Sequence, residues 1–219
     1  MAATRTITLD GKPLSIEQVR LVACEGTHVA LAAEARARID AARAAIEGVA
    51  SSGAAVYGVN TGFGSLAHQR VGASELAALQ ANLVRSHAAG VGDPLPERVV
   101  RAMLLLLAAS LSRGASGVRC VLVERILDLL NHGLVPVVPE RGSVGASGDL
   151  APLAHASLAL LGEGEVWQSG RRVPAGETLA GKGLKPVTLE AKEGLALLNG
   201  THLMAALGAL AFAELEPVL

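Results

Sequence analysis

Aromatic side chains are nearly absent from this chain: one Trp, one Tyr and two Phe in 219 residues, 2% of the whole. Its core has to be built mostly from Ala, Leu and Val, and the 51% hydrophobic content is enough for a large one. Neither sign of charge is in excess, with 19 Lys and Arg against 20 Asp and Glu. No basic run stands out, so neither nucleic acid nor a membrane surface is expected as a partner. The most apolar run, Met103 to Leu111, is well short of the roughly 20 residues of a membrane span. The opening "MAATRTITLDGKPLS" lacks the apolar core of a signal peptide. A soluble, cytoplasmic, helix-rich protein is the expectation. Two cysteines, Cys24 and Cys120, fit a reducing compartment, and neither has metal-ligand spacing, so both are expected as buried thiols. The six histidines (His28, His68, His87, His132, His155 and His202) form no HxH or HExxH pattern, and no metal site is expected.

What is present is mostly helix. "TITLDGKPLS" predicts a small hairpin turning at Asp10 and Gly11, and Ser15 with Gln18 a capping box. "HVALAAEARARIDAARAAIEGVA" predicts one amphipathic helix from His28, ended by "SSG" at 51–53. Ser74, Pro96 and Ser116 mark three further helix starts, the middle helix apolar nearly all round and therefore central. "LAPLAHASLALLG" predicts a short buried helix, and "EVWQSGRRVPAGE" a hairpin bent at Ser169 and Gly170. "EGLALLNGTHLMAALGALAFAELEPVL" predicts one strongly apolar helix, which has to bury its surface in an oligomer or against a continuation of the chain. With no repeat and no linker, residues 1–219 are expected to form a single, mainly α domain with small β-hairpins.

The stretch "GSVGASGDL", Gly142 to Leu150, holds more glycine than a turn requires. Phosphate binding at a helix start is disfavoured by the missing Lys and by Asp149. "GFGSLA" at 62–67 matches a dinucleotide fingerprint only loosely, with Asn82 where an acidic residue belongs. No GxSxG elbow supports a hydrolase. In Ala146-Ser147-Gly148, however, the glycine nitrogen can approach the Ala146 carbonyl at low steric cost and close a five-membered ring. Loss of water, the Ser147 hydroxyl included, then leaves an exocyclic alkene. Such a group supplies a strong electrophile, which no ordinary side chain does.

"GSVGASGDLAPLAH" closely resembles the signature of the histidine and phenylalanine ammonia-lyase family. "YGVNTGFG" at 57–64, "LQANLVRSHAAGVG" at 79–92 and "EGLALLNGT" at 193–201 resemble further family segments, in the family's order. The resemblance implies that Ala146, Ser147 and Gly148 cyclise autocatalytically to methylidene-imidazolone, with no external cofactor, and that Asp149 assists. It implies Tyr57 as the base removing the substrate β-proton, tuned down from an ordinary value near ~10. Gly58, Gly62 and Gly64 would let its loop close. Asn199 is implied near substrate and ring, and Ser86 and His87 at the position that selects the substrate side chain. A histidine there fits an imidazole better than a phenyl ring. L-histidine is therefore the expected substrate and trans-urocanate with ammonia the products. Phenylalanine or tyrosine deamination and an aromatic 2,3-aminomutase are the alternatives within the family. Family members are much longer and homotetrameric, with sites assembled from several subunits. Their remaining part supplies a second tyrosine, an arginine for the substrate carboxylate and the long C-terminal helical bundle. The chain accordingly reads as a truncated N-terminal portion, inactive alone, or as a non-catalytic homologue kept as an assembly partner.

Overall fold

The N-terminal segment does not turn back on itself. In the computed structural model, which describes residues 6–52, 55–63, 68–144 and 147–215 (only the backbone of Ala73), β1 (Thr6–Leu9) runs parallel to β2 (His28–Leu31). Ile7 pairs with Val29 and Leu9 with Leu31. A parallel pair needs a crossover, and α1 (Ile16–Glu25) provides it. Both expectations for this region are thus corrected: no hairpin forms at Asp10, and His28 to Leu31 is strand rather than helix. The cause is non-local. Asn131 grips Val29 from the far side, its Oδ1 accepting from Val29 N and its Nδ2 donating to Val29 O, both at 2.9 Å. The capping box forms as expected, Ser15 Oγ accepting from Gln18 N at 3.2 Å and Gln18 Oε1 from Ser15 N at 2.8 Å.

After α2 (Ala33–Ser51), α3 (Ala73–His87) starts from Gly72 instead of Ser74, which lies inside its first turn. Beyond β3 (Val91–Pro94), α4 (Glu97–Leu111) begins one residue after Pro96. It is the central helix that its all-round apolarity predicts, with Val100, Met103, Leu104, Leu105 and Leu107 among its fully buried side chains. It packs against α1, α5 and α9. The next helix, α5 (Cys120–Asn131), has Arg119 and not Ser116 as its N-cap residue, because the chain is still turning at Gly117, whose φ is +67°. β4 (Val135–Pro136) and β5 (Pro139–Arg141) then lead to α6 (Leu150–Leu160). β5 pairs with β3, and β4 with the hairpin β6 (Glu165–Gln168) and β7 (Arg171–Pro174). Ser169 and Gly170 both take positive φ at its bend, as a two-residue hairpin turn requires.

Past α7 (Ala175–Gly181), the predicted long terminal helix is two helices, α8 (Glu193–Leu198) and α9 (His202–Leu215). Asn199 leaves helical geometry with φ −90° and ψ 95°. Residues Glu193–Leu215 are apolar and long enough in sum to cross a membrane, at 23 residues, but the break divides them into runs of 6 and 14. Leu203, Ala206 and Leu210 are buried, whereas Met204, Leu207, Phe212 and Leu215 stay about half exposed. The cysteines also differ from expectation: Cys24 is exposed and Cys120 half-buried. Burial and then a 3.1 Å bond to Asp40 push the Cys120 thiol up to about 12, so it stays protonated at neutral pH.

Candidate active site

Tyr57 stands on a braced turn. Asn60 and Thr61 below it are buried, Asn60 Oδ1 accepts from Val56 N at 2.8 Å, and Gly62 N donates to Gln69 O at 3.0 Å. Gly58 takes φ +75° against α8, where a Cβ would collide with Leu195. Tyr57 is left 56% exposed, its only aromatic neighbour among the described residues being Phe63, edge-on at 5.9 Å between centroids. Half of the four aromatic side chains of the chain therefore meet on this turn. Gly64 lies outside the described residues.

His87 ends α3. Its Nδ1 lies 2.9 Å from Leu83 O and 3.2 Å from Ser86 Oγ, and Ser86 Oγ itself donates to Leu83 O at 2.9 Å. A carbonyl only accepts, so Nδ1 carries the proton and, in the neutral ring, Nε2 is left as an acceptor. Ser86 thus acts on the ring rather than on the space beyond it.

Of the tripeptide, Ala146 lies outside the described residues, while Ser147 and Gly148 are placed. The Ser147 hydroxyl is buried with no hydrogen-bond partner among the described residues, and Gly148 takes φ +93°. A Cβ on Gly148 would sit 3.0 Å from Met204 Sδ. Asp149 is fully buried and is the N-cap residue of α6, yet its carboxylate serves another helix. Oδ2 accepts from Leu203 N at 2.8 Å and Met204 N at 3.1 Å in the first turn of α9, and Oδ1 accepts from Ser143 Oγ at 3.1 Å. Two helix N-termini meet beside Ser147, and the carboxylate balances their dipoles.

One cavity of about 440 Å³ gathers Tyr57, His87 and Asn199 with Phe63, Leu83, Leu150, Leu195 and Leu198. Ser86, Ser147, Gly148 and Asp149 are not among its lining residues, but Leu150, next in sequence to Asp149, is. The leucine wall escaped the sequence, where it is indistinguishable from core. Phe63 carried a signal in the scarcity of aromatics and its place six residues from Tyr57.

Residues 14–219 match the model of a family described as aromatic amino acid lyase. The chain belongs to the aromatic amino acid lyases. It is 52% identical to histidine ammonia-lyase of Geobacillus thermodenitrificans over 210 residues, which is 96% of this chain and 42% of that protein. Among solved structures, it resembles tyrosine aminomutase of Streptomyces globisporus with a TM-score of 0.89 and 41% identity, covering 95% of this chain and 39% of that one. Histidine ammonia-lyase of Trypanosoma cruzi gives a TM-score of 0.87 and 40% identity, over 95% of this chain and 40% of that one. The chain spans about two fifths of the length of these relatives.

Two histidines flank the site without entering the cavity. His155 Nε2 accepts from Gly90 N at 2.9 Å, a bond that only the unprotonated nitrogen makes. Burial holds its pKa below the ordinary 6.5. Burial does the same to His202, with the charge of Asp149 offsetting part of the shift. Both pKa values are depressed on folding, so the unfolded chain binds more protons and the stability they contribute is present above about 6.5. It is lost as the pH falls through the lower folded values. Urea midpoints are therefore expected to fall between pH 7.5 and 5.5, and to fall less in a His155→Gln, His202→Gln double variant. An equal pH slope in both proteins would exclude these two groups as the cause.

Proposed function

We propose that the chain carries the electrophile-forming half of a histidine ammonia-lyase site and that L-histidine is the substrate. The observation that carries this reading is the common cavity of Tyr57, His87 and Asn199 beside the start of α6. Ser147 and Gly148 fit the implied group: the Ser147 hydroxyl is buried without a partner among the described residues, and Gly148 has no Cβ to obstruct its backbone. Cyclisation would join the Gly148 nitrogen to the Ala146 carbonyl carbon and expel two waters, one taking the Ser147 hydroxyl. The resulting methylidene-imidazolone would supply an electrophile for the substrate amine, and no added cofactor is required. Tyr57 takes the β-proton from its exposed position at the cavity mouth. Asn199 offers an amide donor and acceptor to the amine end of the substrate. His87 presents Nε2 as an acceptor to the imidazole N–H. Asp149 holds the loop against α9, and the N-terminus of α6 favours negative charge developing there. The products are urocanate and ammonia, and the assembled enzyme is a cytoplasmic homotetramer.

The same Nε2 acceptor suits a phenol hydroxyl, and this favours a tyrosine-directed lyase or aminomutase as the second reading. A phenyl ring offers it nothing.

Intact mass tests the electrophile. The purified chain is expected to weigh about 36 Da less than its sequence, the mass of two waters, and Ser147→Ala to abolish the deficit. An unmodified wild-type mass would remove the electrophile from this chain. Incubation with L-histidine and with L-tyrosine, followed by assay of both deamination products, tests the substrate. The isolated chain is expected to release neither. A longer form that includes the region where the relatives extend beyond it is expected to release urocanate, and release of the tyrosine product instead would establish the second reading.

A further inference from the structure

The helix that ends at Asn199 has no cap of its own. The residue before α8, Lys192, sits at φ 70° and makes no side-chain bond to the first turn. Glu193 N reaches Glu190 O at 3.1 Å, which leaves the amides of Gly194 and Leu195 to be satisfied from elsewhere. Gln80 on α3 does this. It is fully buried, and its Oε1 accepts from Gly194 N at 2.8 Å and from Leu195 N at 3.4 Å. These are the second and third helical positions, the ones an N-cap side chain ordinarily serves. Two donors facing one amide require its oxygen, so the assignment of Oε1 follows, and Nε2 is left buried without a partner among the described residues.

Spacing along α3 links this bond to the cavity. Gln80, Leu83, Val84 and His87 follow the i, i+3, i+4, i+7 rule and share one helix face. Leu83 and Val84 are buried, and Leu83 and His87 line the cavity. On the other side, α8 runs only from Glu193 to Leu198, so whatever fixes its first turn fixes Asn199 at its end. Gly194 makes the approach possible, since a Cβ there would lie 2.7 Å from Gln80 O and 2.9 Å from Gln80 Oε1.

We infer that Gln80 is a positioning residue: by capping α8 from α3 it sets the separation between Asn199 and His87. The inference rests on the proposed site only for what those two residues do. Leucine at this position would fill the space and relieve Nε2, yet leave two amides unpaired. Glutamate keeps an acceptor at the helix start.

The test is amide exchange and side-chain amide spectra on the 219-residue chain. Gln80→Leu is expected to speed exchange at Gly194 and Leu195 roughly tenfold, the loss of about one hydrogen bond, and to shift the Asn199 side-chain resonances. Gln80→Glu is expected to restore both. Gly194→Ala, whose methyl presses on Gln80 O and Oε1 and pushes α8 away while the glutamine stays in place, is expected to shift Asn199 in its own right. Amides of Leu105 and Ile126 in the core report whether each variant stays folded. Unchanged exchange and Asn199 spectra in Gln80→Leu, or failure of Gln80→Glu to restore them, would overturn the inference. A parallel titration with L-histidine addresses the substrate: wild-type His87 and Asn199 spectra that ignore it would count against the proposed function while leaving the cap intact.

Discussion

Asp149→Ala is expected to lower the stability of the chain by about 3–5 kcal/mol and to abolish the two-water mass loss. The carboxylate is fully buried and is the acceptor for Leu203 N, Met204 N and Ser143 Oγ. Bonds to a charged acceptor contribute about 1.5–3 kcal/mol each, and donors left buried without a partner cost a similar amount. Alanine removes all three at once, and the α9 dipole loses its compensating charge. Asp149→Asn keeps one carbonyl oxygen at the same place and is expected to cost only about 1–2 kcal/mol. Urea midpoints with unchanged slopes measure the difference. A cost below about 1 kcal/mol for alanine would mean that α9 is held without this cap.

Arg119→Ala is expected to be similarly damaging, at about 3–5 kcal/mol, because it abandons a buried carboxylate. Glu193 is fully buried and accepts from Arg119 N at 3.0 Å, Arg119 Nε at 2.9 Å and Glu190 N at 2.8 Å. The fourth bond, to the Arg119 guanidinium, is 2.6 Å long, and the same guanidinium reaches Glu190 at 2.6 Å and Thr188 O at 2.7 Å. The bond to Glu193 foremost raises the Arg119 pKa above its ordinary value. A melting temperature lower by about 10 °C is the expected reading for a chain of this size. An Arg119→Met, Glu193→Leu double variant is expected to recover only part of the loss: apolar residues of similar volume replace the ion pair at little cost, but the Arg119 and Glu190 amides lose their acceptor. If the double variant melts as low as the single one, the pair holds α8 in a way packing cannot replace.

These two residues were unequally visible before the fold was known. Asp149 drew attention through its motif, but as a helper of the loop before it; that it caps α9, 54 residues on, was not legible. Arg119 and Glu193 carry no local sign of their pairing, 74 residues apart in the chain. The site divides the same way. Tyr57, His87 and Asn199 each sit in a segment that resembles the family, whereas Gln80 and the leucine wall are marked only by where α3 and α8 meet.

By itself the sequence determined whatever is settled within a few residues or one helix face. The Ser15 capping box, the bend at Ser169 and Gly170, α6 and the central place of α4 all depend on local backbone chemistry or on apolar residues all round a helix. The tertiary structure decided the parallel pairing of β1 with β2, the late start of α5, and the break between α8 and α9. In each case backbone groups find partners far along the chain: Val29 with Asn131, Arg119 with Glu193, and Leu203 with Asp149. A buried amide has to be paired, but nothing in its neighbouring residues says with what.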